Sequence, residues 1–477
     1  MNRPLRRIGL VIIVMFLTLM VALTYIQFFA APALNADSRN VRTLYKEFGV
    51  KRGALIAGGQ EIANSVPAEG PYKFQRQYAD GPLYAAATGY FSVAYASMTG
   101  LERETNGVLG GSADSLATQR LKELITGQSP QGGSVSLTLD PAAQKAAFDA
   151  LGGRRGAVVA MEPETGKLLA LVSTPSFDPN QIASLDGSVA RKSWEALNTD
   201  ENKPLLNRAI GGDLYAPGSV FKIITATAML EAGATPDTII EAPTTWTPPG
   251  TSVEITNTAG VCGDGSGKTD LRTAVKLSCN TPFAIAGMNL GAEKMIETAE
   301  KFGFHQNLQI PLTVRPSVFP NTDDPAALAM DSFGQRDIQA SPLQMAMVAA
   351  AVANNGTLMT PYLVDQVLTA DLEVVKQTSP KEFSQPMSQT TAEALRSMML
   401  EVTKYNRIDN AVPGIQIAGK TGTAELGDNI EPHAWFIGFD AVENPKVAVA
   451  VFVENGGWGY KVAAPIAISV INAVVNK

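Results

Sequence analysis

A chain of 477 residues, 45% hydrophobic and 17% charged, holds material for a large buried core and for more than one domain. Its formal net charge of −7 and the lack of a long basic run argue against a nucleic-acid surface. Two histidines, His305 and His433, are too few for a His-rich metal centre and make a Ser-His mechanism improbable; no metal or cofactor is expected.

The amino terminus carries Arg3, Arg6 and Arg7, then an uncharged apolar run from Ile8 to about Ala31. At 1.5 Å per residue, roughly 24 helical residues reach about 36 Å, enough to cross a bilayer with some tilt. A cleavable signal has a shorter apolar core of about 7–15 residues, although Ala30-Ala31-Pro32-Ala33 imitates a cleavage site. The expectation is an uncleaved, single-pass anchor over residues 1–33. The arginines put its amino end in the cytoplasm and everything after Ala33 outside.

Residues 34–132 read as a small, irregular domain between the membrane and the rest of the chain. Arg39-Asn40-x-Arg42 and Arg52-Gly53-Ala54-Leu55-Ile56 begin it, and no cluster in it suits catalysis. The stretch Gly127–Gly133, with Pro130, marks the boundary. After it, Ser134–Leu139 alternates as a strand and Pro141–Leu151 reads as a helix. Gly156–Met161 and Lys167–Ser173 are apolar strands around the hairpin signal Glu162-Pro-Glu-Thr-Gly166. From Ser219 to about Ala351 the pattern is mostly helical, with Gly and Pro breaks. Ile415–Leu426, His433–Asp440 and Lys446–Glu454 have strand composition, and Val462–Val475 closes the chain as a helix. Strands at both ends of residues 133–477 with helices between them imply one sheet built from distant segments, an α+β arrangement.

Ser219 and Lys222 form the single Ser-x-x-Lys of the chain, after the turn signal Tyr215-Ala-Pro-Gly218. A helix sets residues three apart on one face, so the amine lies beside the hydroxyl. A serine becomes nucleophilic only when a base takes its proton. Lysine can be that base once its ammonium is pushed to the neutral form. Alone, the pair reads more readily as a helix-capping Ser with a solvated Lys. Ser278-Cys279-Asn280 and Lys420-Thr421-Gly422-Thr423 follow in that order, and the three motifs together make a serine acyltransferase the stronger reading.

Cys262 and Cys279 are the two cysteines, and outside the cytoplasm they can oxidise. A bridge would tie the segment around Val261–Lys268 to the Ser278–Asn280 motif and contribute about 3 kcal/mol. Two unrelated thiols remain the alternative. His433 beside Trp435 reads as structural. Trp458 and Tyr460 read as packing at a turn in preference to a groove wall, and Gly334-Gln335 takes no assignable role.

The chain resembles the class B penicillin-binding proteins, in particular the actinobacterial branch. The resemblance runs through Thr138-Leu-Asp140, Gly156-Ala-Val-Val-Ala-Met161, Ser176-Phe-Asp-Pro-Asn180 and Asn207-Arg208-Ala209. It continues through Tyr215–Lys222, Ser341-Pro-Leu-Gln344 and Ala434-Trp435-Phe436. It implies a transpeptidase fold over residues 133–477, a five-stranded antiparallel sheet flanked by helices. A non-catalytic, dimerisation-like pedestal over 34–132 and one transmembrane helix would precede it. No segment resembles a glycosyltransferase.

By the same resemblance Ser219 is the nucleophile, Lys222 the base, Ser278 a proton relay and Asn280 the amide holding Lys222. Lys420, Thr421, Gly422 and Thr423 would receive the substrate carboxylate and lie along the peptide. The backbone N–H groups of Ser219 and Thr423 would form the oxyanion hole. The implied activity is cross-linking of peptidoglycan stem peptides in wall growth or division, with D-Ala-D-Ala peptide as donor and an amine as acceptor. Beta-lactams would be inhibitors, and a membrane glycosyltransferase of the shape, elongation, division and sporulation type the partner. A carboxypeptidase or beta-lactamase, and a membrane-anchored sensor on the same fold, are the competing readings.

Overall fold

A computed structural model describes residues 3–30, 48–70, 72–258, 260–427 and 430–476 of the chain. The segments Ala31–Ala33 and Arg39–Arg42 singled out above lie outside the described residues. Helix α1 (Arg3–Thr24) runs into a wider-pitched turn, Tyr25–Phe29. Within Pro4–Phe29 the most apolar 18-residue stretch has a mean hydropathy of 2.6 and none of it is buried by protein, so this helix is long and apolar enough to cross a membrane.

A six-stranded sheet follows. Its order is Val374–Gln377, Val364–Leu368, Ser134–Leu137, Leu55–Ala57, Gln60–Pro67 and Phe74–Tyr78. Leu55–Ala57 and Ser134–Leu137 run parallel, and the other pairs are antiparallel. The division placed at 132/133 by sequence therefore falls beside a strand that pairs with both neighbouring regions. Next to this sheet, Glu102 is fully buried between Arg52 (2.8 Å) and Arg76 (2.6 Å) and accepts the Tyr78 hydroxyl at 3.2 Å. Burial alone would raise its carboxyl, yet the two guanidiniums hold it below the usual range. Removing it strands two buried cations. Glu102→Ala is expected to lower stability by about 3–5 kcal/mol. Urea unfolding measures this, and a loss below about 1 kcal/mol would show that the guanidiniums find other partners.

The second sheet forms the body of the chain. Its strands are β1 (Gly156–Met161), β2 (Leu168–Thr174), β3 (Ile417–Ala424), β4 (His433–Asp440) and β5 (Ala448–Val453). The order is β3-β4-β5-β1-β2 and every pairing is antiparallel. Alternate residues of β1 face opposite cores: Val158 and Ala160 join one, Ala157, Val159 and Met161 the other. Both faces are covered, and that is why β1 and β5 read as unbroken apolar runs and not as alternating ones. One face carries α2 (Pro141–Leu151) and the terminal helix Gly459–Val475; the other carries Pro342–Ala353, buried at every residue. Asp140 caps α2 through the N–H groups of Ala142 and Ala143, with Pro141 at its first position. Ser341 caps Pro342–Ala353 in the same way. Strand β3 is left at the sheet edge with its free side towards a cleft.

Candidate active site

Gly218 has φ +56 and donates its N–H to the Gly334 carbonyl at 2.8 Å, turning the chain sharply. The tight turn Gly218–Val220 then leads into the helix α3 (Lys222–Glu231). Phe221 is buried against Phe304 and Phe319 and fixes where that helix begins. Ser219 is left half-buried at the cleft, whereas Lys222 is fully buried. The capping reading, which needs a solvated lysine, does not describe this geometry.

Lys222 Nζ lies 2.9 Å from Ser219 Oγ, 2.7 Å from Asn280 Oδ1 and 2.7 Å from the Ser278 carbonyl. The Asn280 amide is oriented from behind: its Nδ2 donates to the Thr256 carbonyl at 2.8 Å, leaving Oδ1 for the amine. Its own N–H donates to Asn257 Oδ1 at 2.8 Å. Ser278 adopts φ +56, an arrangement that costs a non-glycine residue about 1–3 kcal/mol. That turn directs its carbonyl at Lys222 and its hydroxyl at Lys420. Lys420 Nζ donates to Ser278 Oγ at 2.7 Å and to the Thr421 carbonyl at 3.0 Å. Ser278 Oγ also lies 3.5 Å from Lys222 Nζ, so one hydroxyl stands between two amines.

Burial, and after it the charge of Lys420, drive Lys222 well below the ordinary lysine value. Burial lowers Lys420 to about 7. An amine in this state can take a proton from a serine, which a solvated lysine at neutral pH cannot.

Gly422 stands opposite Trp435 in the β3–β4 ladder. A Cβ there would crowd Trp435 Cβ, Val220 Cγ1 and the Pro217 carbonyl at about 3 Å. Close packing of the nucleophile turn on β3 thus requires glycine here. Trp435 Nε1 donates to the Ala216 carbonyl at 3.0 Å and pins the same turn. Cys262 and Cys279 are joined by a disulfide, Cα–Cα 5.9 Å, and Cys279 lies directly between Ser278 and Asn280 in sequence.

These residues open onto a cleft of about 230 Å³. Ser219, Ser278, Asn280, Thr421 and Thr423 line it, joined by Gln335, Lys276, Tyr405, Asn406 and Glu425. Trp458 and Tyr460 line it too, at 46% and 39% exposure, so the packing role favoured for them does not hold. Lys276 could have been found two residues before Ser278; Tyr405, Asn406 and Glu425 left no local signal. His433 is buried beside Tyr215 and Phe452, accepts the Asn455 N–H at Nδ1 (3.1 Å), and stands outside the cleft. Among the described residues no group of three or more His, Cys, Asp or Glu could hold a metal ion.

A cleft-facing serine beside a buried lysine, bridged by a second serine to a second lysine on an α+β body with an edge strand, defines a penicillin-recognising serine acyltransferase. The penicillin binding protein transpeptidase domain matches residues 156–472, and the penicillin binding protein A dimerisation domain matches residues 52–135. The chain belongs to the penicillin-binding protein transpeptidase family. It is 43% identical over its whole length to the full-length peptidoglycan D,D-transpeptidase PbpA of Mycolicibacterium smegmatis. It is 41% identical, over its full length and 99% of the relative's, to PbpA of Mycobacterium tuberculosis. The structure of penicillin-binding protein A from M. tuberculosis as its ceftriaxone acyl-enzyme superposes with a TM-score of 0.87 at 41% identity. That likeness covers 90% of this chain and all of the other. The imipenem acyl-enzyme of the same protein gives 0.86, with 42% identity over 90% of this chain and 99% of the other.

Proposed function

We propose that the chain is a membrane-anchored serine D,D-transpeptidase that cross-links peptidoglycan stem peptides and is inhibited by beta-lactams. The observation that carries the reading is the buried Lys222 amine 2.9 Å from Ser219 Oγ, with Ser278 linking it to Lys420. In acylation Ser219 Oγ gives its proton to Lys222 and attacks the carbonyl between the two terminal D-alanines. The backbone N–H groups of Ser219 and Thr423 receive the developing oxyanion. The leaving D-alanine nitrogen takes a proton from Lys222 by way of Ser278, and Lys420 with Thr421 and Thr423 holds its carboxylate. An acceptor amine then attacks the ester, loses a proton to the same relay and frees Ser219. A beta-lactam acylates Ser219 in the first step: its carbonyl forms an ester with Oγ, its C–N bond breaks, and the leaving nitrogen stays tethered. The acyl-enzymes of the M. tuberculosis relative with ceftriaxone and imipenem support this.

The domain plan is proposed on the same grounds: an anchor of residues 1–33, a pedestal of 34–132 and a transpeptidase domain of 133–477. The amino end would be cytoplasmic and the cleft outside. A membrane glycosyltransferase of the shape, elongation, division and sporulation type would supply the glycan strand. A carboxypeptidase, in which water replaces the amine, uses the same groups. Incubation with a labelled donor peptide and an amine acceptor separates the two. A new amide joining them is the expected product, and release of trimmed peptide alone would sink transpeptidation.

A further inference from the structure

The turn Asp331–Ile338 holds the chain on either side of Ser219, at Gly218 and at Thr225, and one buried side chain closes it. Asp331 Oδ1 accepts the N–H groups of Asp337 (2.9 Å) and Ile338 (3.1 Å), and its carbonyl accepts the Gly334 N–H at 3.0 Å. Its Oδ2 is buried with no partner among the described residues. Three bonds run outward from the closed turn. The Gly334 carbonyl takes the Gly218 N–H, immediately before Ser219. Gln335 Nε2 points at the Thr423 carbonyl from 3.4 Å. The Ser332 carbonyl takes the Thr225 hydroxyl, at 2.5 Å, on the helix that carries Lys222. Gly334, at φ +91, approaches so closely that a Cβ would overlap the Gly218 carbonyl.

Resting on the reading that Ser219 and Thr423 hold the oxyanion, we propose that Asp331 is the positioning residue that sets the gap between those two N–H donors. The two donors belong to different elements, a helix turn and an edge strand, and no ladder hydrogen bond joins them. The Asp331–Ile338 turn spans both. Asp331 touches no substrate; it acts through Gly334 and Gln335. A role in packing alone does not call for an acceptor, since an apolar residue fills a buried site; closing this turn does, because Oδ1 receives two N–H groups that an apolar residue would leave unpaired. Burial lifts this carboxyl to about 7, so asparagine is its neutral isostere.

Penicillin acylation of the full-length chain, resolved into Ks and k2 and read beside thermal unfolding, tests this. An oxyanion donor is worth about 10²–10³-fold, and an ångström of misplacement forfeits a large part of it. Asp331→Ala is expected to lower k2 about 10- to 100-fold with Ks within about twofold, while Asp331→Asn keeps k2 within about threefold. Unchanged k2 in Asp331→Ala, or a k2 loss matched by Ks, overturns the inference. If Asp331→Ala does not fold, Thr225→Val, which frees the same turn from the Lys222 helix, is expected to show the k2-only loss; wild-type k2 there overturns it. Ser219→Ala run alongside separates the two levels. Label persisting in Ser219→Ala sinks the reading of the nucleophile, whereas label lost there with wild-type k2 in Asp331→Ala sinks this inference alone.

Discussion

Ser219→Ala folds with wild-type stability and takes up no beta-lactam: that is the expected result, and its two halves rest on different observations. The hydroxyl contributes little to the fold, because its protein contact is the Lys222 amine. After truncation Lys222 keeps Asn280 Oδ1 and the Ser278 carbonyl, both at 2.7 Å. The turn itself is held through the Gly218 N–H and the buried Phe221, neither of which changes. A change of about 0.5 kcal/mol or less is therefore expected, and a melting shift of no more than about 2 °C. The chemical loss is complete, since the other hydroxyls of the cleft have different work. Ser278 Oγ is engaged by Lys420 at 2.7 Å, and Thr421 and Thr423 stand on β3, where the proposed mechanism uses them for the substrate carboxylate. Intact mass after incubation with penicillin gives the answer directly. The wild-type chain should gain one inhibitor mass and Ser219→Ala none; one equivalent on Ser219→Ala would move the nucleophile elsewhere.

The chemistry of this site was legible in the sequence because it depends on residue type. The proposed nucleophile, base, relay and carboxylate receiver are written as the letters Ser219-x-x-Lys222, Ser278-x-Asn280 and Lys420-Thr-Gly-Thr423, and the fold brings Ser219, Lys222, Ser278, Asn280 and Lys420 together. Local folding was legible where one cause dominates. Helix Pro141–Leu151 has its cap and its proline written at Asp140 and Pro141, and strand Gly156–Met161 is apolar throughout because both faces are covered. What stayed hidden depends on approach between distant segments. Ser134–Leu137 pairs with Leu55–Ala57 and with Val364–Leu368, and no local pattern encodes that choice. Gly334 means nothing until its positive φ and its contact with Gly218 are seen. Trp458 and Tyr460 looked like packing, since an aromatic pair at a helix start gives no sign of which side it presents.

Lys222→Met carries the second large effect, a fall in acylation on the order of 10³-fold, within the range general-base removal produces. Methionine fills the same buried volume without a titrating group, so the loss reports on proton transfer and not on a cavity. The pH profile separates this from misfolding. Wild-type k2/Ks should rise with pH as Lys222 loses its proton, then fall as Lys420 loses the charge that attracts a carboxylate, from about 7 in the free protein. The two amines share Ser278, so the limbs belong to the pair. Lys222→Met should lose the rising limb and keep the falling one. Stability carries the same signature with a definite sign. Lys420 titrates at about 7 in the folded chain and near the ordinary lysine value of 10.5 when unfolded. Between those values the unfolded chain binds more protons, so this group makes stability rise with pH across that window. Lys222, also lowered, adds to the rise. The melting temperature of the wild type should therefore climb from pH 7 to pH 9, and that of Lys222→Met should climb less. Identical slopes would mean that Lys222 is charged in the folded protein, and a charged Lys222 could not serve as the base.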